Sequence, residues 1–118
     1  MIEIATGKTW AVHCKRQTSA GVAVPFETGN TLRAALRETP AGNKLLDVTA
    51  IITAGTEEFD LSLTDEQTAT LPEPRQFGAV RFLWLDVDEI AGTDILPLIV
   101  NEQVSVKAGV TKAEVVAP

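Results

Sequence analysis

The side chains able to do chemistry are few, and their spacing narrows what they could do. His13 is the only histidine and Cys14 the only cysteine. A nucleophile–base couple would need both on one face. They stand next to each other in the alternating run Trp10 to Lys15, which reads as a strand, and adjacent strand residues point to opposite faces. Cys14, in parity with Trp10 and Val12, reads as a small buried hydrophobe, and His13 as a solvent-side residue. A second group is acidic: Asp86, Asp88 and Glu89, with Asp94 across an expected hairpin tip spanning Asp88 to Asp94. Such oxygens could gather around calcium, but the spacing matches no EF-hand loop. A solvated tip is the first reading and a calcium site the alternative. Glu57, Glu58 and Asp60 could work with Asp86 as glycosidase-type carboxylates only if the fold set them about 5–10 Å apart. Gly7-Lys8-Thr9 ends like a phosphate loop, but the upstream glycine and the following helix are missing. No cofactor or resident metal follows from these residues, and no enzyme activity is expected.

The elements that must position these residues are mostly strands. Phe59, Leu61 and Leu63 alternate with Glu58, Asp60 and Ser62, a half-buried strand pattern, and Val48, Ala50 and Ile52 do the same. Val80, Phe82 and Trp84 share one face while Leu83, Leu85 and Val87 share the other, as expected of a central or doubly covered strand. Trp84 is expected in the core near Trp10, Val12, Leu61 and Leu63. Leu96, Leu98 and Val100 keep one parity with Val104 and Val106, but Glu102 interrupts it. A bulge is expected near Asn101-Glu102, with Pro97 at an edge or beside a bulge. Residues 31–38 have helical residue types, yet the run is short and Leu32, Ala34 and Leu36 alternate with Arg33, Ala35 and Arg37, so a strand is expected. One helical turn is expected near residues 64–71, because Thr64-x-x-Gln67 is a capping box and Pro72 a stop. Turn clusters fall at Ser19-Ala20-Gly21, Thr28-Gly29-Asn30, Pro40 to Asn43 and Ala54-Gly55-Thr56. Together these predict an all-β chain, an immunoglobulin-like antiparallel β-sandwich, with residues 1–108 as a single domain and 109–118 as a C-terminal arm or final strand extension.

Composition bounds the partners. The 118 residues are 45% hydrophobic and 22% charged, close to the globular average, so wholesale disorder is excluded. A formal charge of −6 argues against nucleic acid. Val80 to Val87 and Ile95 to Val100 fall far short of the ~20 apolar residues of a membrane helix. The start Met1-Ile2-Glu3-Ile4 has no signal-peptide pattern, which leads to the expectation of synthesis in a reducing cytoplasm. Charge is uneven: residues 1–45 carry a balance of +3 and residues 46–106 one of −10. On charge alone this reads first as a solvated surface with no preferred partner, and alternatively as oppositely charged faces that would suit docking on a partner or on another copy.

The order of signals resembles a known group. Gly7-Lys8-Thr9-Trp10 opens a strand, and the short Leu/Arg strand from Leu32 to Arg37 follows a polar hairpin. Pro40-x-Gly42, the strand Phe59 to Leu63, the helical turn Thr64 to Pro72, and Trp84-Leu85-Asp86-Val87 before a hairpin to Leu96-Pro97-Leu98 come next. This looks like the short immunoglobulin-like β-sandwich proteins of tailed bacteriophage particles, including modules similar to the baseplate upper protein N-terminal domain. The resemblance implies a non-enzymatic virion protein that docks on other head, neck or tail proteins as a homo- or hetero-oligomer. The alternative is a non-viral carbohydrate- or protein-binding sandwich module. Edge strands must be guarded or used. Ile2 and Ile4 at one terminus, and Val110, Val115 and Val116 at the other, are the candidate partner contacts.

Overall fold

The computed structural model describes residues 2–72 and 80–108, and the chain in these segments is all-β apart from one short helix. The strands are β1 (Ile2–Ala5), β2 (Trp10–Lys15), β3 (Thr31–Arg37), β4 (Lys44–Ile52) and β5 (Glu58–Leu63). The helix α1 (Asp65–Ala69) follows, then β6 (Val80–Ala91) and β7 (Asp94–Lys107). They form one seven-stranded sheet in the order β1-β7-β6-β3-β4-β5-β2. All neighbours are antiparallel except β1 and β7, which are parallel, with Ile2 opposite Val104 and Ile4 opposite Val106.

The connection between the first two strands dictates the shape. β1 and β2 are the two edges of the sheet, yet only residues 6–9 separate them. Laid flat, seven strands would hold the edges about 29 Å apart. Five residue steps reach at most about 18 Å. The link is tighter still, because Lys8 N–H donates to the Ala5 carbonyl across a turn with Gly7 at φ 73°. That positive φ at the third turn position is what a type II turn demands and glycine supplies. The sheet therefore curls until its edges approach, and it is nearly barrel-shaped.

The core fills the inside of the curl. Ile4, Leu36, Leu61, Leu83, Leu85, Val87, Val104 and Val106 are fully buried, joined by Phe59, Leu63, Trp10 and Phe26. Phe26 and Phe59 meet edge to face at 5.8 Å between ring centres. β3 is a strand, because its Leu32, Ala34 and Leu36 parity turns inward between β4 and β6. The short length of the run and the apolar interior override its helical residue types. The capping box forms in full: Gln67 N–H donates to Thr64 Oγ1 at 3.1 Å, and Thr64 N–H donates to Gln67 Oε1 at 2.9 Å. α1 is anchored at Thr68, fully buried, whose hydroxyl donates to the Lys8 carbonyl at 2.8 Å.

Two expectations are corrected. Trp84 is not a core residue: it is half-buried beside the exposed Phe82, on the outer face of β6. Both parities of β6 are apolar, and the Leu83, Leu85, Val87 set occupies the interior, which turns Val80, Phe82 and Trp84 outward. The hairpin tip is also shorter than expected. Ala91 pairs with Asp94, so only Gly92 and Thr93 turn the chain. Gly92, at φ 64°, supplies the positive φ that a two-residue hairpin loop needs at its first position. Asp88 and Glu89 thus lie within a paired strand and not at a loop tip. The bulge does fall where Glu102 breaks parity. Leu85 pairs with Glu102 and Val87 with Ile99, so Val100 and Asn101 together face Asp86, and Asn101 takes φ 51°. A second shift puts Pro97 opposite Asp88 beside the extra Leu98.

Candidate functional site

Strand pairing decides which charged groups meet. β2 lies antiparallel to β5 with His13 opposite Asp60 and Lys15 opposite Glu58. On the outer face, His13 Nδ1 lies 2.7 Å from Asp60 Oδ1, and its Nε2 contacts Glu58 Oε1. With a carboxylate at each ring nitrogen, both nitrogens are best used as donors, which is the imidazolium form. The bond to Asp60, and then that to Glu58, raise the His13 pKa above 6.5. Cys14 points the other way, half-buried against the core, and burial pushes its thiol up. It is a packing residue and not a reactive thiolate. His13 therefore has carboxylates but no thiol to activate. Glu58 and Asp60, raised above as glycosidase-type carboxylates, are bonded to it.

Three of the four acids considered for calcium are bound to side chains of the first third of the chain. β3 runs antiparallel to β6 with Arg33 opposite Asp88 and Arg37 opposite Trp84. Arg33 Nη2 donates to Asp88 Oδ2 at 3.2 Å. Arg37 Nε donates to Asp86 Oδ2 at 3.0 Å, and its Nη1 donates to the Gly42 carbonyl at 2.9 Å. Asp86 Oδ1 accepts from Asn101 N–H at 2.8 Å, so this carboxylate clips the β7 bulge. Glu89 has the opposite parity and points inward. It is 4% exposed, pairs with Arg16 Nη1, and accepts from Asn30 Nδ2 at 2.7 Å. Arg16 in turn lies 4.7 Å from the centre of the Phe26 ring. Asp94 pairs with Ala91 at the hairpin end. The calcium alternative is corrected accordingly: Asp86 and Asp88 face out, Glu89 faces in, and three of the four already hold an arginine. Among the described residues no cluster of three metal-ligating side chains exists.

The charge unevenness along the sequence becomes pairing within the molecule. Arg16 meets Glu89, Arg33 meets Asp88, Arg37 meets Asp86, and Arg81 meets Glu38. Between the β3 and β6 ladders a depression of about 350 Å³ has Ala35 on its floor, with Arg33, Arg37, Lys44, Asp47, Asp86 and Asp88 around it. Positive and negative groups balance there, so it has no net attraction for an ion of either sign. The sequence held a signal for these pairs. Arg33/Arg37 and Asp86/Asp88 each have even spacing and so share a strand face. Only the β3–β6 adjacency was missing.

The apolar surface is concentrated on one element. Of the eight large hydrophobic residues exposed among the described residues, five lie on the β6–β7 hairpin: Val80, Phe82, Ile95, Leu96 and Val100. Ile2 and Ile4, expected as partner contacts, both lie on the edge strand β1. Ile4 is fully buried and Ile2 packs against the core, because β1 is laddered onto β7 of its own molecule. Val110, Val115 and Val116 lie outside the described residues. Among the described residues no helix is long and apolar enough to cross a membrane. No family model and no curated protein matches this chain.

Proposed function

We propose that this chain is a structural protein of a tailed-bacteriophage particle, an immunoglobulin-like β-sandwich module that docks on other head, neck or tail proteins and carries out no reaction. The observation that carries the reading is the β6–β7 hairpin, with Val80, Phe82, Ile95, Leu96 and Val100 exposed along one element. They are spread along the hairpin, Val80 and Phe82 near its open end and Ile95 and Leu96 near its turn, and exposed apolar side chains on one strand pair are surface that a partner can cover. The order of strands and the helical turn, read through the resemblance above, supply the particle context. The charged groups support the same reading, because the ion pairs tie β3 to β6 and position no reactive group. Apolar docking through the hairpin would be insensitive to salt, since Arg16, Arg33, Arg37 and Arg81 are engaged within the molecule. The test is incorporation into particles of a Phe82→Asp/Leu96→Asp double variant. Reduced occupancy with an unchanged melting temperature is the expected outcome. Wild-type occupancy would remove the hairpin as the docking surface.

A further inference from the structure

The outer faces of β3 and β6 form a ladder of matched rows. Arg37 lies opposite Trp84, Ala35 opposite Asp86, Arg33 opposite Asp88 and Thr31 opposite Ile90. Ala35 contributes only a methyl group, so the depression of about 350 Å³ opens over it, with Arg33 and Arg37 on one side and Asp86 and Asp88 on the other. Lys44 and Asp47, paired with each other on β4, stand at its rim. The arginines share one strand and the acids its neighbour, so the face carries two stripes of opposite charge side by side. What such a face attracts is a surface bearing the same two stripes in the opposite order. The bonds within the molecule leave capacity for it. The Arg33 side chain is 59% exposed, and its bond to Asp88 runs from Nη2 to Oδ2. A guanidinium has five N–H donors and a carboxylate two acceptor oxygens, so both keep groups to spare.

We propose that this face pairs with the same face of a second copy of the chain, about a two-fold axis that runs along the strands between β3 and β6. The curl of the sheet makes its outer face convex, so two copies can touch along a strip that follows the strands. Two axes allow such a contact, and charge decides between them. An axis across the strands through Ala35 would set Arg33 over Arg37, and Asp86 over Asp86, of the second copy. An axis along the strands exchanges β3 with β6 and keeps each row. It sets Arg33 over Asp88 and Arg37 over Trp84 of the second copy, an ion pair and a cation against an indole ring, each made twice. Asp86 of the second copy then lies over Ala35, with the depression beneath it and Arg33 and Arg37 on either side along β3. Aligned sheets pack about 10 Å apart, a gap that arginine side chains bridge. β3 from Thr31 to Arg37 is about 20 Å long. A strip of that length and two strands wide falls below the ~800 Å² per partner of a standard interface, so the pairing is weak and salt-sensitive.

The inference does not depend on the virion reading and is tested apart from it. Sedimentation of the full chain from low micromolar to near-millimolar concentration should show a monomer–dimer equilibrium that weakens as salt rises. Arg33→Glu gathers four carboxylates where two like copies meet, and Asp88→Arg gathers four guanidiniums. Each variant alone should stay monomeric and keep a cooperative melt. An equimolar mixture should recover 1:1 pairs, because two positive and two negative groups then meet. Both variants keep a net negative charge, so general attraction cannot bring them together. The double variant Arg33→Glu/Asp88→Arg should self-associate like wild type. Trp84 supplies a second readout. Trp10, the other tryptophan, is buried, so a fall in acrylamide quenching as concentration rises reports the covering of Trp84. A wild-type chain that stays monomeric at near-millimolar concentration and low salt, a mixture of folded variants that does not pair, or a dimer with Trp84 as accessible as in the monomer would each overturn the pairing. So would a dimer that survives Arg33→Glu and is lost in Leu96→Asp, since the copies would then meet through the β6–β7 hairpin. A monomeric chain that still enters particles would overturn this inference and leave the virion reading standing. A chain that pairs through this face but never enters particles would do the reverse.

Discussion

His13 is held between Asp60 and Glu58 on an exposed strand face, and its protonation should be visible in stability. Its folded pKa is raised above 6.5. A raised value means the folded state binds the proton more tightly than the unfolded chain. The contribution is therefore fully present below the unfolded pKa and is lost as pH rises through the folded one. An NMR titration of the ring should give a midpoint above 6.5, which His13's carboxylate partners set, and a midpoint at or below that value would contradict the geometry. Melting temperature should fall slightly between neutral and alkaline pH, and His13→Ala should flatten that part of the profile. The acids of β6 differ sharply among themselves. Glu89 is buried with Arg16 and Asn30, so Glu89→Ala should destabilise by about 3 kcal/mol, because it leaves a guanidinium unpaired next to the core. Asp88 pairs with an exposed Arg33, and Asp88→Ala should change stability by less than about 1 kcal/mol. Urea unfolding of both variants distinguishes the two environments.

At the scale of the element, β6 shows why an alternating pattern can be read correctly and placed the wrong way round. Both parities are apolar, so sequence alone leaves open which set enters the core. The inward set is Leu83, Leu85 and Val87, with no exposure at all. Leu85→Ala should therefore cost about 2–5 kcal/mol, the range for deleting a packed core side chain. Trp84→Ala, half-buried on the outer face, should cost about 1–2 kcal/mol, near the ordinary level for single substitutions. Equal losses for the two in denaturant unfolding would restore Trp84 to the core. The bulge on β7 was legible because Glu102 interrupts an apolar parity that resumes at Val104. What it does was not legible: it brings the Asn101 N–H onto Asp86, a residue for which the sequence offered a metal-ligand role only as the alternative.

For the whole molecule, the first strand is structural. β1 runs parallel to β7 at one edge of the sheet and places Ile4 in the core with no exposure. Ile4→Asp should leave little folded protein, since a buried carboxylate without a partner adds several kcal/mol to the lost packing. Circular dichroism of this variant should show loss of the cooperative melt, and a wild-type melt would mean that Ile4 is dispensable to the core. Chelator or reductant should leave the wild-type melting temperature unchanged, because the ion pairs that bind Asp86, Asp88 and Glu89 need no metal and Cys14 is a free thiol. A drop of several degrees with chelator would point to a cation on these acids.

The sequence by itself determined the local events: strand alternation at β2, β4 and β5, the strand at β3, the capping box that starts α1 at Asp65, and the breaks near Asn101 and Pro97. Each depends on neighbours a few residues apart, where side-chain period, turn chemistry and capping act directly. Only the tertiary structure decided that β1 and β2 are opposite edges joined by residues 6–9, that β3 lies between β4 and β6, and that Arg33 and Arg37 therefore meet Asp88 and Asp86. It also decided that Glu89 turns inward to Arg16 and that Phe82 and Trp84 turn outward. These outcomes depend on which strands become neighbours across more than forty residues, and that choice is made by filling one interior with the better apolar set, a property of no single segment.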